Sequence, residues 1–322
     1  MSDEAIATLH QRASAVLAAL GRARVVPGKR LDGLAGGVHR SALRGGGVEF
    51  AEHKAYTPGD ELRHIDWRAY ARADRFLVKR FEQEVHGVVV LVLDASASMA
   101  LDGVGVDDPA GASPAGPAAK LDAVVLWTAC IALAVLAQGD AVGLVVAADP
   151  LEVVPAASGA RQARALLRRL ATLQARGEAG LELIAEGTLR QLPRDSRVLV
   201  LSDLLGEPAA MLGPLVRLRR AGAEVVVAHT LHPRELDLAF DEPVELACAE
   251  TGHRQIVDAR LVRGRYTELL QAHERALREV AVPAGVVMHA LSTAAPPADA
   301  VRTLLESTRL RRGAGRFSGG AR

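Results

Sequence analysis

Polar and apolar positions sort into two regimes that meet near residue 88. From Val88 onward, short runs of Val, Leu, Ile and Ala alternate with longer segments patterned for helices. The runs predict strands at Val88–Leu93, Ala141–Ala147, Arg197–Leu201, Glu224–His229 and Gly285–Ala290. Helices are predicted at Lys120–Gln138, Ala160–Gln174, Leu181–Gln191, Glu207–Ala221, Leu261–Val280 and Pro297–Arg311. A β-branched run without polar alternation marks a strand buried on both faces, and strand–helix alternation builds a parallel sheet between helices. The expected fold is α/β, with a doubly wound, mostly parallel sheet. Glu152–Val154 can add an edge strand, and Val244–Cys248 with Gln255–Val257 reads as a small rim hairpin. The longest apolar run, Ala123 to Ala137, falls short of the roughly 18–20 residues that span a bilayer and reads as a core helix.

Before residue 88 the pattern changes. Ala5–Leu20 has the period of a short amphipathic helix ending at Gly21. Arg22–Gly87 is sparse in apolar residues and Gly-rich, the composition of hairpins and loops. Gly21–Arg80 holds 13 Lys/Arg against 7 Asp/Glu, a local excess of six positive charges. The expected organisation has three parts: a helix and basic extension over residues 1–86, the α/β domain over 87–308, and an Arg/Gly tail over 309–322. Residues 101–119, rich in Gly, Pro, Ala and Asp, read as a flexible insert, and the tail reads as disordered.

Composition narrows the function classes. The net charge of +1 gives no global attraction to nucleic acid or anionic membranes. Cys130 and Cys248 lie in apolar segments without metal spacing and read as buried thiols in a reducing compartment. The acidic start, MSDEAIATLHQ, lacks the basic and apolar regions of a signal peptide. A cytoplasmic location is the expectation.

The chemistry concentrates in Val88–Met99, VVVLVLDASASM. Asp94, Ser96 and Ser98 begin where the first buried strand should end, and open α/β sheets bind ligands at the carboxyl ends of their strands. One carboxylate and two hydroxyls supply only oxygen, the donor preferred by Mg²⁺ or Ca²⁺. The same residues could instead cap a strand-to-helix turn by accepting from backbone N–H groups. The string resembles the D-x-S-x-S signature of von Willebrand factor A-type domains. There it forms a metal-ion-dependent adhesion site, with the serines on the ion, the aspartate acting through water, and a partner's carboxylate completing the shell. The resemblance implies bound Mg²⁺, with Mn²⁺ or Ca²⁺ as alternatives.

A second stretch carries a more specific likeness. Gly46–Glu84 contains Gly47, Glu49, Phe50, Glu52, Tyr56, Gly59, Asp60, Arg63, Ile65, Asp66 and Trp67 at the spacing G-x-E-F-x-E-x-x-x-Y-x-x-G-D-x-x-R-x-I-D-W. This pattern resembles the bacterial DUF58 family, von Willebrand A-like proteins often encoded beside MoxR-type AAA+ ATPases. Gly139-Asp140, Leu201-Ser202-Asp203-Leu204 and His232-Pro233-Arg234-Glu235-Leu236 continue the match. Read without the family, Asp60, Arg63 and Asp66 could form ion pairs, with Trp67 and Phe81 as apolar anchors. By resemblance Asp203 holds a water on the ion. The family's second metal loop carries a threonine, but the corresponding place here reads Arg176-Gly177-Glu178-Ala179-Gly180-Leu181. Glu178 could contribute a carboxylate, and water can replace the threonine at a cost in affinity. The implied ligand set is Asp94, Ser96, Ser98 and Asp203.

Rival readings are weaker in residues. An aspartyl-phosphate-type hydrolase needs a second Asp two residues after the first, where this chain has Ser96. No Walker loop, dinucleotide fingerprint or G-x-S-x-G elbow occurs. His229 and His232 have a metal-like spacing but read as a satisfied surface pair. A nucleic-acid-binding protein would use the basic N-terminal region and its interleaved aromatics Phe50, Tyr56, Trp67, Tyr70 and Phe76, although acids interrupt it. The expected function is a non-enzymatic protein–protein interaction module, adaptor to a MoxR-type AAA+ ATPase and a client protein.

Overall fold

The computed structural model describes residues 2–22, 48–56, 65–73, 75–83, 87–101, 119–148, 150–177, 192, 196–238, 240–249 and 251–309. The expected helix Leu181–Gln191, Glu178, Asp60, Arg63, most of the 101–119 insert and residues 310–322 lie outside them. The chain divides into a small unit, Lys29–Gly87, and a large unit made of Met1–Gly28 and Val88–Arg322.

In the small unit, β1 (Val48–Ala55) pairs antiparallel with β2 (Leu77–Gln83), from Val48 opposite Gln83 to Ala55 opposite Leu77. Between them lies the short helix Trp67–Ala73. Asp66 caps it: its Oδ1 accepts from the Ala69 N–H at 3.1 Å. Trp67 does not anchor the unit, being 60% exposed; Ile65 is the buried apolar residue there. The Tyr70 and Phe76 rings stack at 4.4 Å, and Trp67 meets both edge-on. These aromatics thus pack on one another rather than standing apart as separate platforms. The Phe81 side chain lies outside the described set.

In the large unit six strands form one sheet: β3 (Val88–Asp94), β4 (Ala141–Ala147), β5 (Glu152–Ala157), β6 (Arg197–Ser202), β7 (Glu224–Leu231) and β10 (Val287–Ser292). Their order is β10-β7-β6-β3-β4-β5, and every pairing is parallel except that of β5 with β4. Renumbered within the sheet this is the doubly wound 3-2-1-4-5-6 order with one antiparallel edge. It is the fold of von Willebrand A-like domains. The separate hairpin of β8 (Pro243–Ala247) and β9 (Arg254–Asp258) forms as patterned.

Alternation along β3 divides the core in two. Val89, Leu91 and Leu93 belong to one cluster with Trp127, Ile131 and Val135 of the helix Lys120–Ala137 and Leu166 and Leu170 of Gly159–Ala171. Val90 and Val92 belong to the other, with Leu212, Leu215 and Leu218 of Pro208–Arg220 and Leu277 of Ala259–Ala281. The helix Lys120–Ala137 is long and apolar enough to cross a membrane by length and composition, yet 67% of it is buried inside the protein.

The first helix runs Ser2–Arg22 and groups with the sheet, not with the basic extension as the 1–86 boundary expected. Leu9 and Ala13 are buried in the first cluster, with Ile6, Val16, Leu17 and Leu20 packed against it. Its amphipathic stripe therefore closes over the Lys120–Ala137 helix, which has no polar face to offer water. The cysteines also part company: Cys130 is buried in that core, where burial pushes its thiol up to about 12, whereas Cys248 is exposed at the end of β8.

Candidate functional site

In the doubly wound order the chain leaves β3 toward β4 and β5 on one side, and β6 toward β7 and β10 on the other. The crevice at the carboxyl ends of β3 and β6 is the topological switch point, where neighbouring connections diverge and leave room for a ligand. Asp94 is the last residue of β3 and Ser202 the last of β6. The structure brings all four expected residues, Asp94, Ser96, Ser98 and Asp203, to this edge.

Asp94 is 1% exposed. Its Oδ2 accepts from the Ser202 hydroxyl at 2.6 Å and its Oδ1 from the Ser96 N–H at 2.9 Å. Both oxygens are thus held by neutral donors. Burial, and then the charge of Asp203, raise the carboxyl above the ordinary carboxylate range against the pull of those hydrogen bonds. Asp94 does cap the turn through the Ser96 N–H, and the Ser96 hydroxyl also acts on its carboxylate while lying against Ser98 Oγ. Ser96 sits in extended backbone before the 3₁₀ turn Ala97–Ala100, and its Oγ lies 2.9 Å from Ser98 Oγ. Ser96 is fully buried and Ser98 half-buried.

The Arg176–Gly177 backbone lies directly against this turn. Arg176 N–H donates to Ala95 O at 2.8 Å, and Ala97 N–H donates to Gly177 O at 2.9 Å. Among the described residues no threonine is found there: Thr172 instead donates to the Arg168 and Arg169 carbonyls at the end of its helix.

Asp203 departs most from expectation. It is buried beside Asp94, but its Oδ2 accepts from Lys120 Nζ at 2.6 Å. The same ammonium donates to Glu235 Oε1, also at 2.6 Å, and Lys120 has no exposed surface. Glu235 is set by a capping box on the short helix Pro233–Asp237: its Oε2 accepts from the His232 N–H at 2.7 Å. Leu204, next to Asp203, is buried with φ of 49°, a left-handed backbone that costs a leucine energy. Leu204 N–H donates to Ser202 Oγ, and its carbonyl meets His273 Nε2 at 2.9 Å. This loop is fixed from several sides.

The two histidines are not a surface pair. β7 continues to Leu231, so His229 lies within it at 3% exposure, and burial lowers its pKa. His232 is buried and caps the next helix, its Nδ1 accepting from the Arg234 N–H at 3.2 Å. Lys120, Ser202 and Glu235 carry this site; Lys120 was not singled out from the sequence, and Ser202 and Glu235 stood only in family-like strings with no role given. One signal was available: Lys120 is a cation opening a mostly apolar helix, at the end where the macrodipole disfavours it.

Among the described residues no three His, Cys, Asp or Glu side chains converge as metal ligands. An ion here would draw on hydroxyls. The serine edge fits one: two adjacent oxygens on an octahedral Mg²⁺ at about 2.1 Å stand roughly 3 Å apart, and Ser96 Oγ and Ser98 Oγ stand 2.9 Å apart. At the Asp203 edge Oδ2 already holds an ammonium, and Oδ1 accepts from the Leu205 N–H at 3.4 Å.

The family profile described as "Protein of unknown function DUF58" matches residues 52–276. The uncharacterized protein Rv1480 of Mycobacterium tuberculosis is 29% identical over 230 residues, 70% of this chain and 68% of its own. Among solved structures, an aerotolerance-related membrane protein of Bacteroides fragilis is similar at 13% identity and a TM-score of 0.44, over 69% of this chain and 98% of that one. The SpRpn10 VWA domain is similar at 12% identity and a TM-score of 0.39, over 68% and 95%. The strand order, not these overlaps, carries the fold assignment.

Proposed function

The chain belongs to the DUF58 family of proteins of unknown function, and from that premise we propose that it is a non-enzymatic interaction module whose switch-point edge engages a carboxylate of a partner protein. The observation that carries this reading is the pair of serine hydroxyls 2.9 Å apart beside a buried carboxylate. Ser96 and Ser98 would hold a Mg²⁺ or Mn²⁺ ion, with Asp94 supplying negative charge behind them. Such an ion supplies positive charge that a partner's Asp or Glu can complete, a better ligand than water.

The residues of this chain do the rest. Ser202 and the Ser96 N–H keep Asp94 turned to the edge, and the strained Leu204 loop keeps the neighbouring Asp203 in place. At this edge the Ser96 and Ser98 hydroxyls meet each other, and Asp94 Oδ2 accepts from Ser202, which supports a binding role for these residues. The partner we propose is a MoxR-type AAA+ ATPase acting on a client protein in the cytoplasm.

Affinity of the purified chain for that ATPase, measured in Mg²⁺ and in EDTA, tests the reading. Ser96→Ala/Ser98→Ala should weaken the complex tenfold or more (about 1.4 kcal/mol), and more than removal of residues 309–322 does. Undiminished binding by the double variant, or equal loss from the tail deletion, would replace it with a metal-independent electrostatic interface.

A further inference from the structure

We infer that Lys120 is a resident counter-ion. Its ammonium occupies the Asp203–Glu235 edge of the site, confines any divalent cation to the serine edge, and makes the fold independent of metal. This goes beyond the docking role proposed above and does not rest on it.

Three elements converge to build the triad. Lys120 is the first residue of the helix Lys120–Ala137, Asp203 follows β6, and Glu235 lies in the helix that follows β7. Both ion-pair distances are 2.6 Å, and the lysine and aspartate side chains are 0% and 3% exposed. A lysine is disfavoured there twice over: the amino end of a helix carries partial positive charge, and an unpaired buried charge is costly. Two carboxylates remove both objections. They need the lysine equally, since among the described residues it is the cation that both Asp203 and Glu235 contact. Burial first, with the charge of Asp203 adding to it, raises the carboxyls of both Asp94 and Glu235.

The geometry also sets the ammonium against a divalent ion at Asp203 Oδ2. An ion bonding Asp203 Oδ2 would come against an ammonium that already stands 2.6 Å from that oxygen. Like charges at such separation repel strongly where water is absent. Lysine, a compact point charge on a long apolar stem, suits this place: its stem packs while its head pairs. Replacing it with methionine keeps the stem and deletes the charge, leaving two acids in need of a cation.

Thermal unfolding in EDTA and in millimolar Mn²⁺ tests the inference on wild type, Lys120→Met, and Lys120→Met combined with Asp203→Asn and Glu235→Gln. The wild-type midpoint should be the same in both buffers within about 3 °C. Lys120→Met should fall by roughly 10 °C in EDTA and regain most of that loss in Mn²⁺. It should also bind Mn²⁺ at least tenfold more tightly than wild type by calorimetry, since ligand charge sets affinity. The triple variant should recover without metal and ignore it. If Lys120→Met does not fold in EDTA, refolding from urea with Mn²⁺ reads the same property, and recovery supports the inference. A Lys120→Met midpoint or refolding yield unmoved by Mn²⁺ overturns it, as does a wild type stabilised as much as the variant.

Discussion

Asp94 has two carboxylate oxygens and two partners, and neither partner is charged. That gives its protonation a predictable effect on stability. An acid whose folded pKa lies above its ordinary value of 3.8 keeps its proton in the native state after the unfolded chain has released its own. Folding then carries a proton. The stability this group contributes is fully present below about pH 4 and is lost as pH rises from there to the raised folded value. Asp94→Asn should shrink that decline, measured as the thermal midpoint between pH 4 and 7 in EDTA. A profile identical to wild type would mean the carboxyl is ionised at no cost. At this scale Asp94, Ser96 and Ser98 could be read from one short string because they are local in sequence. Lys120, Ser202 and Glu235 could not, because their partners lie 83 to 115 residues away.

At the scale of elements, buried strands announce themselves, since burial on both faces removes every polar position. β4 runs over the residues its pattern predicted, Ala141–Ala147. β7 overran its predicted end because His229 and Thr230 are polar yet buried, and a polar residue reads as the edge of a strand. The first helix teaches a different limit. Its period tells that it has an apolar face but not where that face docks. It docks on the sheet unit, so Leu9→Ala should cost about 2–4 kcal/mol of that unit's stability, read by urea unfolding. A loss below ~1 kcal/mol would mean that the helix packs without contributing. The small unit was legible as antiparallel hairpin and loop, but the role of Trp67 was not. A tryptophan in a sparse apolar pattern reads as an anchor, whereas here it lies on the outside of a capped turn.

At the scale of the whole molecule, one topological fact organises the chemistry. Placing β3 and β6 side by side at the centre of the sheet sets the end of one strand beside the end of the other, 108 residues on between Asp94 and Ser202. The polar residues at those ends are buried together at the carboxyl edge of the sheet. Charge is then distributed by edge: the ammonium of Lys120 serves Asp203 and Glu235, and the hydroxyls of Ser96 and Ser98 remain for a ligand. The α/β class and strand sequence were legible from periodicity, whereas this division of the site depends on a lysine that periodicity treats as the start of a helix. The central claim, that the serine edge takes a divalent ion, is tested most directly by calorimetric titration of Mn²⁺ into wild type and Ser96→Ala/Ser98→Ala. The account predicts one site in wild type, with a Kd on the order of 0.1–1 mM, and no heat of binding in the double variant at an unchanged thermal midpoint. Equal binding by the two proteins, or none by wild type, would contradict it.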